Sequence, residues 1–358
     1  MDKSLVVISA NSLHTAKFTN AVAKKFEKIY LITHKDSKDF PYDSPPNMET
    51  IEINFKSLLA SITIFKILKK IKPDLMHIHQ ANHYAFHSFL ANKLLNIPTI
   101  LTVWGSDVLV FPYMNPIYKK MLKFNLNNAK TITADSYNLI REAKKYVKTS
   151  KNYKVIKFGI EDSFFNSCSN SINFKENIIL SNRLHKKHYN IDLIIKGFAK
   201  IITKYPDWKL IIVGNDETET PLLKELVKEL KIDKNVDFVG VLKLSELQEY
   251  YKKSKIFTSI PKSDGLSVSL LEAMAAGNIP VLNNLAPNLE LIIDEINGII
   301  SNDISSMDIS LIKAIKMSED NQTYNNLIEW NRNILIKQGV LSVCSNQINE
   351  LYEQFYKI

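Results

Sequence analysis

Absences narrow the reading first. No apolar run reaches the roughly twenty residues that a membrane-spanning helix needs, and the opening Met1-Asp2-Lys3-Ser4 passes straight into a strand-like run. Neither a membrane span nor a signal peptide is expected. Cysteine is scarce: Cys168 and Cys344 are the two present, in no metal or redox spacing, which argues against a disulfide framework and fits idle thiols in a cytoplasmic, reducing setting. The chain has no GxGxxG, so its strand–helix–strand opening lacks the usual dinucleotide fingerprint. Low-complexity segments are missing too, as are repeats beyond two similar halves.

Acid is thin in one half. Residues 1–150 carry 21 Lys and Arg against 11 Asp and Glu, whereas the remainder carries 25 against 26, so the net charge of +9 belongs to the first half. Such a basic surface suits an acidic substrate or an anionic membrane. Nucleic acid is not expected as a partner, because no recognised binding motif accompanies the charge. At 358 residues, 45% hydrophobic and 23% charged, the chain is long enough for two globular domains with separate cores.

Strand-like and helix-like stretches alternate. Residues 5–9 and 29–33 read as buried strands with an amphipathic helix between them, and His14 falls in the intervening loop. It either contacts a ligand at the carboxyl edge of a parallel sheet or merely packs. Residues 57–72 and 113–130 read as amphipathic helices, the first with Lys66, Lys69, Lys70 and Lys72, the second with Pro116 in its first turn beside Lys119, Lys120 and Lys123. Each either packs its apolar face inward or lies on an anionic membrane. His77, His79, His83 and His87 cluster in sequence, but no nearby Cys or carboxylate completes a zinc set, and no metal is expected.

Residues 99–107 form a strand ending in Trp104-Gly105-Ser106-Asp107. Trp104 can stack on a sugar face and Asp107 can accept hydrogen bonds from hydroxyls, or the pair can be a core Trp and an Asx turn. A last strand at 155–159 and a polar linker at 161–175 close the first half. The second half opens with a strand at 178–183, followed by Lys186 and Lys187, and continues with strands at 209–213 and 236–239. Arg183 at a strand's carboxyl end, with the two lysines after it, suits a diphosphate.

The chain is organised around Ser263-Asp-Gly-Leu-Ser-Val-Ser-Leu-Leu-Glu-Ala-Met-Ala-Ala-Gly277. Leu266, Val268, Leu270, Leu271 and Met274 keep a helical period and Gly277 suits an αL C-cap, which predicts a helix over 266–276. Its opening amides, at Gly265, Leu266 and Ser267, suit a phosphate. Asp264 and Glu272 stand eight residues apart. Along a loop end and a helix that is roughly 10 Å, enough for two carboxylates to hold different parts of one extended ligand.

The acid, seven intervening residues, Glu272 and then Ala-Met-Ala-Ala-Gly-Asn-Ile-Pro resemble the signature of retaining glycosyltransferases of family 4. The resemblance implies an α/β GT-B fold, with two Rossmann-like parallel-sheet domains facing a central cleft. Its domain division would be 1–163 on the acceptor side, 164–340 for the nucleotide sugar, and a terminal helix at 341–358 packing back across the domains. It also implies that Glu272 holds the donor ribose and Asp264 the donor sugar. The diphosphate would lie on Arg183, Lys187 and the helix amides, with Lys186 in reserve, and Gly240 to Leu242 would offer backbone groups to the nucleobase. His14 and Asp107 would join Asp264 about the reacting sugar.

The family usually has Glu where this chain has Asp264, His where it has Trp104, and Lys at the position of His188. The implied activity is metal-independent transfer, without a cofactor, from a nucleotide-diphosphate sugar to a glycan or lipid-linked acceptor in cell-surface polysaccharide synthesis. The basic first half without a membrane span suggests a cytoplasmic enzyme that can sit peripherally on the cytosolic face of the membrane. The alternative is a catalytically silent sugar-nucleotide-binding or scaffold protein.

Overall fold

Unbroken apolar runs such as Leu5-Val-Val-Ile8 are what parallel strands look like when helices cover both faces of their sheet. The structure, a computed structural model, describes residues 3–35, 44–170 and 175–355. It divides into two units: Met1–Phe158 with Leu341–Ile358, and Gly159–Val340.

Unit 1 has strands β1 (Ser4–Ile8), β2 (Lys28–His34), β3 (Met48–Ile53), β4 (Leu75–His79), β5 (Thr99–Thr102), β6 (Thr131–Ala134) and β7 (Asn152–Val155). They lie in the order β3-β2-β1-β4-β5-β6-β7, and neighbours are parallel. Helices α1 (Leu13–Val22), α2 (Ala60–Ile71), α3 (His83–Asn92), α4 (Ser106–Leu109), α5 (Phe111–Met114), α6 (Pro116–Asn128) and α7 (Tyr137–Lys144) connect them. Side chains of β1 alternate between two cores. Val6 and Ile8 meet Ile64 and Leu68 of α2, while Leu5 and Val7 meet Ile348, Leu351 and Tyr352 of the terminal helix, Leu341–Glu353. That helix is fixed by a polar chain as well: the Tyr352 hydroxyl lies 2.6 Å from His77 Nδ1, His77 Nε2 2.6 Å from Thr102 Oγ1, and Thr102 Oγ1 2.5 Å from Thr133 Oγ1.

Unit 2 runs α8 (Asp162–Ser167), β8 (Glu176–Ser181), α9 (Ile191–Ile201), β9 (Lys209–Val213), α10 (Glu219–Glu229), β10 (Val236–Gly240), α11 (Leu244–Lys253) and β11 (Ser254–Ser259). It continues with α12 (Val268–Ala276), β12 (Ile279–Asn283), α13 (Ala286–Leu289), β13 (Ile299–Ser301), α14 (Met307–Glu319) and α15 (Asn321–Gln338). Its parallel sheet has the order β10-β9-β8-β11-β12-β13. Both units are therefore Rossmann-like, and each sheet reverses direction of build beside its first strand, between β1 and β4 and between β8 and β11. Ligands of open parallel sheets bind at the carboxyl ends of such strand pairs.

Several boundaries differ from the sequence reading. The key helix begins at Val268 rather than 266, because Ser267 is extended (φ −71°, ψ 126°). His14 sits inside the first turn of α1 rather than in the loop before it. The strand expected at 155–159 occupies Asn152–Val155, and Gly159 follows in the left-handed region (φ 75°). Of the linker expected at 161–175, residues 162–170 are helical, since buried Phe164 and Phe165 give them an apolar side, and 171–174 fall outside the described residues. Residues 113–130 are split at Asn115, which caps α6 by accepting from Tyr118 N. Among the described residues no helix is long and apolar enough to cross a membrane.

Unit 1 holds several buried or half-buried histidines in the neutral form. Burial lowers His14 and His83 to about 4 and His79 to about 3, and holds His77 well below its ordinary 6.5. As pH falls the unfolded chain takes up these protons first, so stability is full above the ordinary value and is lost progressively as pH falls toward the folded values. Urea midpoints of unit 1 should therefore be lower near pH 5 than near pH 7.5; equal midpoints would mean these rings are not buried neutral.

Candidate functional site

In unit 2 the reversal between β8 and β11 brings together what the sequence separates by eighty residues. Arg183 follows β8 by two residues, and Gly214 beyond β9 (φ 122°) lets the chains meet closely: a Cβ there would lie 2.6 Å from the Arg183 carbonyl oxygen. The Arg183 guanidinium donates to Asp264 Oδ2 at 2.5 Å and to Ser267 Oγ at 2.7 Å. It also stacks 4.5 Å over the Tyr189 ring. One planar fork thus holds the loop after β11 and the N-cap of α12 together. The loop has further clamps. His188 Nε2 donates to the Ser263 carbonyl at 2.6 Å, Lys262 N to the His188 carbonyl at 2.8 Å, and Asn190 Nδ2 to the Ile260 carbonyl at 2.8 Å.

Ser267 does not cap α12 with its side chain; its hydroxyl accepts from Arg183 instead. The first amides of the helix lack intrahelical partners by construction and carry the positive end of its dipole. They start at Val268, beyond the expected Gly265, Leu266 and Ser267. At the other end Gly277 (φ 80°) turns the chain, and Asn278 N bonds the Ala273 carbonyl at 2.9 Å.

Glu272 is a buried carboxylate on a helix whose other residues, Ser269 apart, are apolar. It lies against the Tyr251 hydroxyl, whose pKa is pushed well up by burial and then by the Glu272 charge. That hydroxyl accepts from Asn182 Nδ2 at 2.8 Å and donates to the Ser269 carbonyl at 3.2 Å. Tyr251, Asn182 and Tyr189 escape sequence reasoning, because a Tyr in an amphipathic helix and an Asn at a strand end carry no local sign of such contacts.

The lysines are arranged differently. Lys187 is 80% exposed and faces Glu219 at 3.8 Å; with exposed Lys186 and Lys262 it borders a cavity of about 400 Å³ beside the starts of α9 and α10. At the end of β10, Gly240 is left-handed (φ 74°) with nothing within 4 Å of a Cβ position, and Leu242 beyond it is half-buried. Room for a flat ligand against the backbone therefore exists at that strand end.

Unit 1 assembles rings at the carboxyl ends of β1 and β4. His14 lies 4.7 Å from Phe158 and 5.6 Å from Trp104, and His79 lies 5.5 Å from Trp104. Beside them His14, Phe18, His77, His79 and Phe158 line a cavity of about 50 Å³. His79 Nδ1 and Trp104 Nε1 are buried without a protein partner. Asp107, read as an acceptor for hydroxyls or as part of an Asx turn, has a buried carboxylate that accepts from Ala81 N at 2.7 Å, Gly105 N at 2.9 Å and Trp104 N at 3.1 Å. Having the charge at the focus of three amides, Asp107 pins the Trp104 loop to the end of β4. His87 turns to Ser61 Oγ at 2.8 Å, and among the described residues no group of three or more His, Cys, Asp or Glu could hold a metal ion.

Comparison with known proteins follows the same division. Residues 3–136 match the model of "glycosyl transferase 4-like" domains and residues 163–334 that of "glycosyl transferases group 1". The chain is 25% identical over 292 residues to N-acetyl-alpha-D-glucosaminyl L-malate synthase of Bacillus anthracis, covering 79% of this chain and 74% of that protein. It is 23% identical over 291 residues to alpha-monoglucosyldiacylglycerol synthase of Acholeplasma laidlawii, covering 71% of each. Among solved structures, sucrose-phosphate synthase of Thermosynechococcus elongatus superposes with a TM-score of 0.82 at 16% identity, covering 99% of both chains. Anabaena HepE in complex with UDP gives 0.79 at 14% identity, covering 98% of this chain and 100% of that one. With both halves matched, and with two Rossmann-like units in the GT-B manner, the chain belongs to the group 1, family 4 glycosyltransferases.

Proposed function

We propose that the chain is a retaining, metal-independent glycosyltransferase that takes a sugar from a nucleotide diphosphate and passes it to a glycan or lipid-linked acceptor in cell-surface glycoconjugate synthesis. The observation that carries this reading is the Arg183 fork between Asp264 and Ser267 at the start of α12, one helical turn from buried Glu272. In the reaction the bond between the anomeric carbon and the diphosphate breaks, and negative charge grows on the leaving phosphate. Arg183 and the first amides of α12 would meet that charge, fixed in advance by the contacts described. Protein cations in that position support a reaction without a metal ion.

Glu272 would hold the ribose hydroxyls, oriented by Tyr251, and Asp264 would receive sugar hydroxyls while its Oδ2 keeps Arg183 in place. The open backbone at Gly240 to Leu242 would take the base, and the lysine pair Lys186 and Lys187 would add positive potential nearby. His14, neutral at physiological pH, would face the acceptor beside Trp104, with Asp107 as a positioning residue. Anabaena HepE is known in complex with UDP and with UDP-glucose, which supports a uridine nucleotide among the candidates. The alpha linkage named in the Bacillus anthracis relative supports retention, because common gluco-series nucleotide sugars are themselves alpha-linked. A diacylglycerol glycoside in the name of the Acholeplasma relative supports a lipid-borne acceptor at a membrane surface.

Nucleotide release from a panel of UDP-, GDP- and ADP-sugars, with and without EDTA, tests the reading directly. Release from one donor, unchanged by EDTA, is expected; binding with no turnover in an acceptor screen would instead indicate a silent sugar-nucleotide binder. Glu272→Ala should lower kcat/KM for the donor more than about tenfold, the value of one charged hydrogen bond. Normal turnover by that variant would remove Glu272 from the site. Arg183→Lys keeps the charge but loses the planar fork that spans Asp264 and Ser267 and stacks on Tyr189, so kcat should fall on the order of 100-fold.

A further inference from the structure

We propose that the end of unit 1 built by the heads of α2 and α6 docks on an anionic lipid bilayer. Large apolar side chains stand in solvent there: Leu58 (94% exposed), Leu59 and Ile62 at the head of α2, and Tyr113 (69%), Met114 and Ile117 (75%) where α5 passes into α6. The two helices flank α3. Ser61 Oγ meets His87 Nδ1 at 2.8 Å on one side, and Phe86 meets Phe124 at 5.3 Å between ring centres on the other. Both heads lie toward the carboxyl edge of the sheet, since α2 follows β3 and α6 follows β5 through two short helices.

Charge decides the partner. Exposed Lys56, Lys66, Lys119, Lys120 and Lys123 surround these side chains. From residue 53 to 134 the chain has ten lysines and two acids, Asp74 and Asp107. Neither acid reaches this surface: Asp107 is buried on backbone amides, and Asp74 bonds Ser4 N at the opposite, amino edge of the sheet. A second copy of the chain would set lysine against lysine, and nucleic acid would leave the apolar centre unused. An anionic bilayer satisfies both parts, with apolar side chains entering the boundary below the headgroups and lysines meeting the lipid phosphates. The Tyr113 ring, apolar with a polar tip, suits that boundary. His14 and Trp104 lie on the same sheet edge, so a lipid-borne acceptor would reach them without leaving the surface. That use rests on the transferase reading, while docking itself does not.

The test is cosedimentation of the full chain with vesicles of phosphatidylglycerol mixed into phosphatidylcholine, and of phosphatidylcholine alone. Salt-sensitive binding to the anionic vesicles is expected, and the double substitution Met114→Asp with Ile117→Asp should lower the partition coefficient at least about tenfold. Leu94→Asp, at an equally exposed leucine (81%) beyond the far end of α3, should bind as the unsubstituted chain does. Unchanged circular dichroism establishes that the variants are folded. No binding to anionic vesicles, equal binding by the double variant, or loss of binding in Leu94→Asp would overturn the proposal. So would a dimer in vesicle-free solution that the double substitution splits. Donor turnover in the vesicle-free acceptor screen reads the transferase proposal separately, so docking with no turnover there would remove that proposal alone.

Discussion

The arrangement of unit 2 turns on one guanidinium. Arg183 leaves β8, Asp264 and Ser267 leave the neighbouring β11, and the two hydrogen bonds between them make the carboxyl edge of the sheet one piece. A lysine could supply the charge but not the planar fork, and a longer acid in place of Asp264 would alter the reach of the loop. Because both partners are half-buried, the pair is less weakened by solvent than a surface ion pair would be. The ring of Tyr189 beneath the guanidinium limits its motion further. Preorganisation of this kind stabilises developing charge without reorganisation at the moment of reaction.

Much of the fold was legible because parallel sheets write themselves plainly. β1 and β9 are short, nearly continuous apolar runs, and the helices between strands keep a 3.6-residue period. β3 and β11 were not anticipated, for different reasons. β3, Met48–Ile53, is an edge strand whose two glutamates point to solvent, and β11, Ser254–Ser259, is central but carries Ser, Lys and Thr among its six residues. Polar composition hides a strand whose neighbours, rather than its own residues, supply the burial.

The candidate site was legible to the extent that its residues follow strand ends. Arg183, Asp264, Ser267 and Glu272 belong to local patterns, and the fold brings them to adjacent strands and one helix. What stayed hidden depends on distance in the chain. Tyr251 reaches Glu272 from another helix, His188 clamps Ser263 across seventy-five residues, and Asp107 turns inward because three amides converge on it. No local rule announces these contacts, since each is decided by where two separate elements come to rest. The same holds for Tyr352, whose partner His77 is 275 residues away.

Unit 2 lies wholly within the sequence of unit 1: the chain passes from Phe158 to Gly159 and returns from Val340 to Leu341, and Ile160 N bonds the Gly339 carbonyl at 2.9 Å where the two passages meet. On the ribosome, unit 2 is therefore complete before unit 1 receives Ile348, Leu351 and Tyr352. Until then Leu5, Val7, Ile29 and Leu31 have only Val22, Phe26 and their neighbours over them, a partly covered apolar face waiting through the synthesis of almost two hundred further residues. The domain translated first is therefore the one completed last.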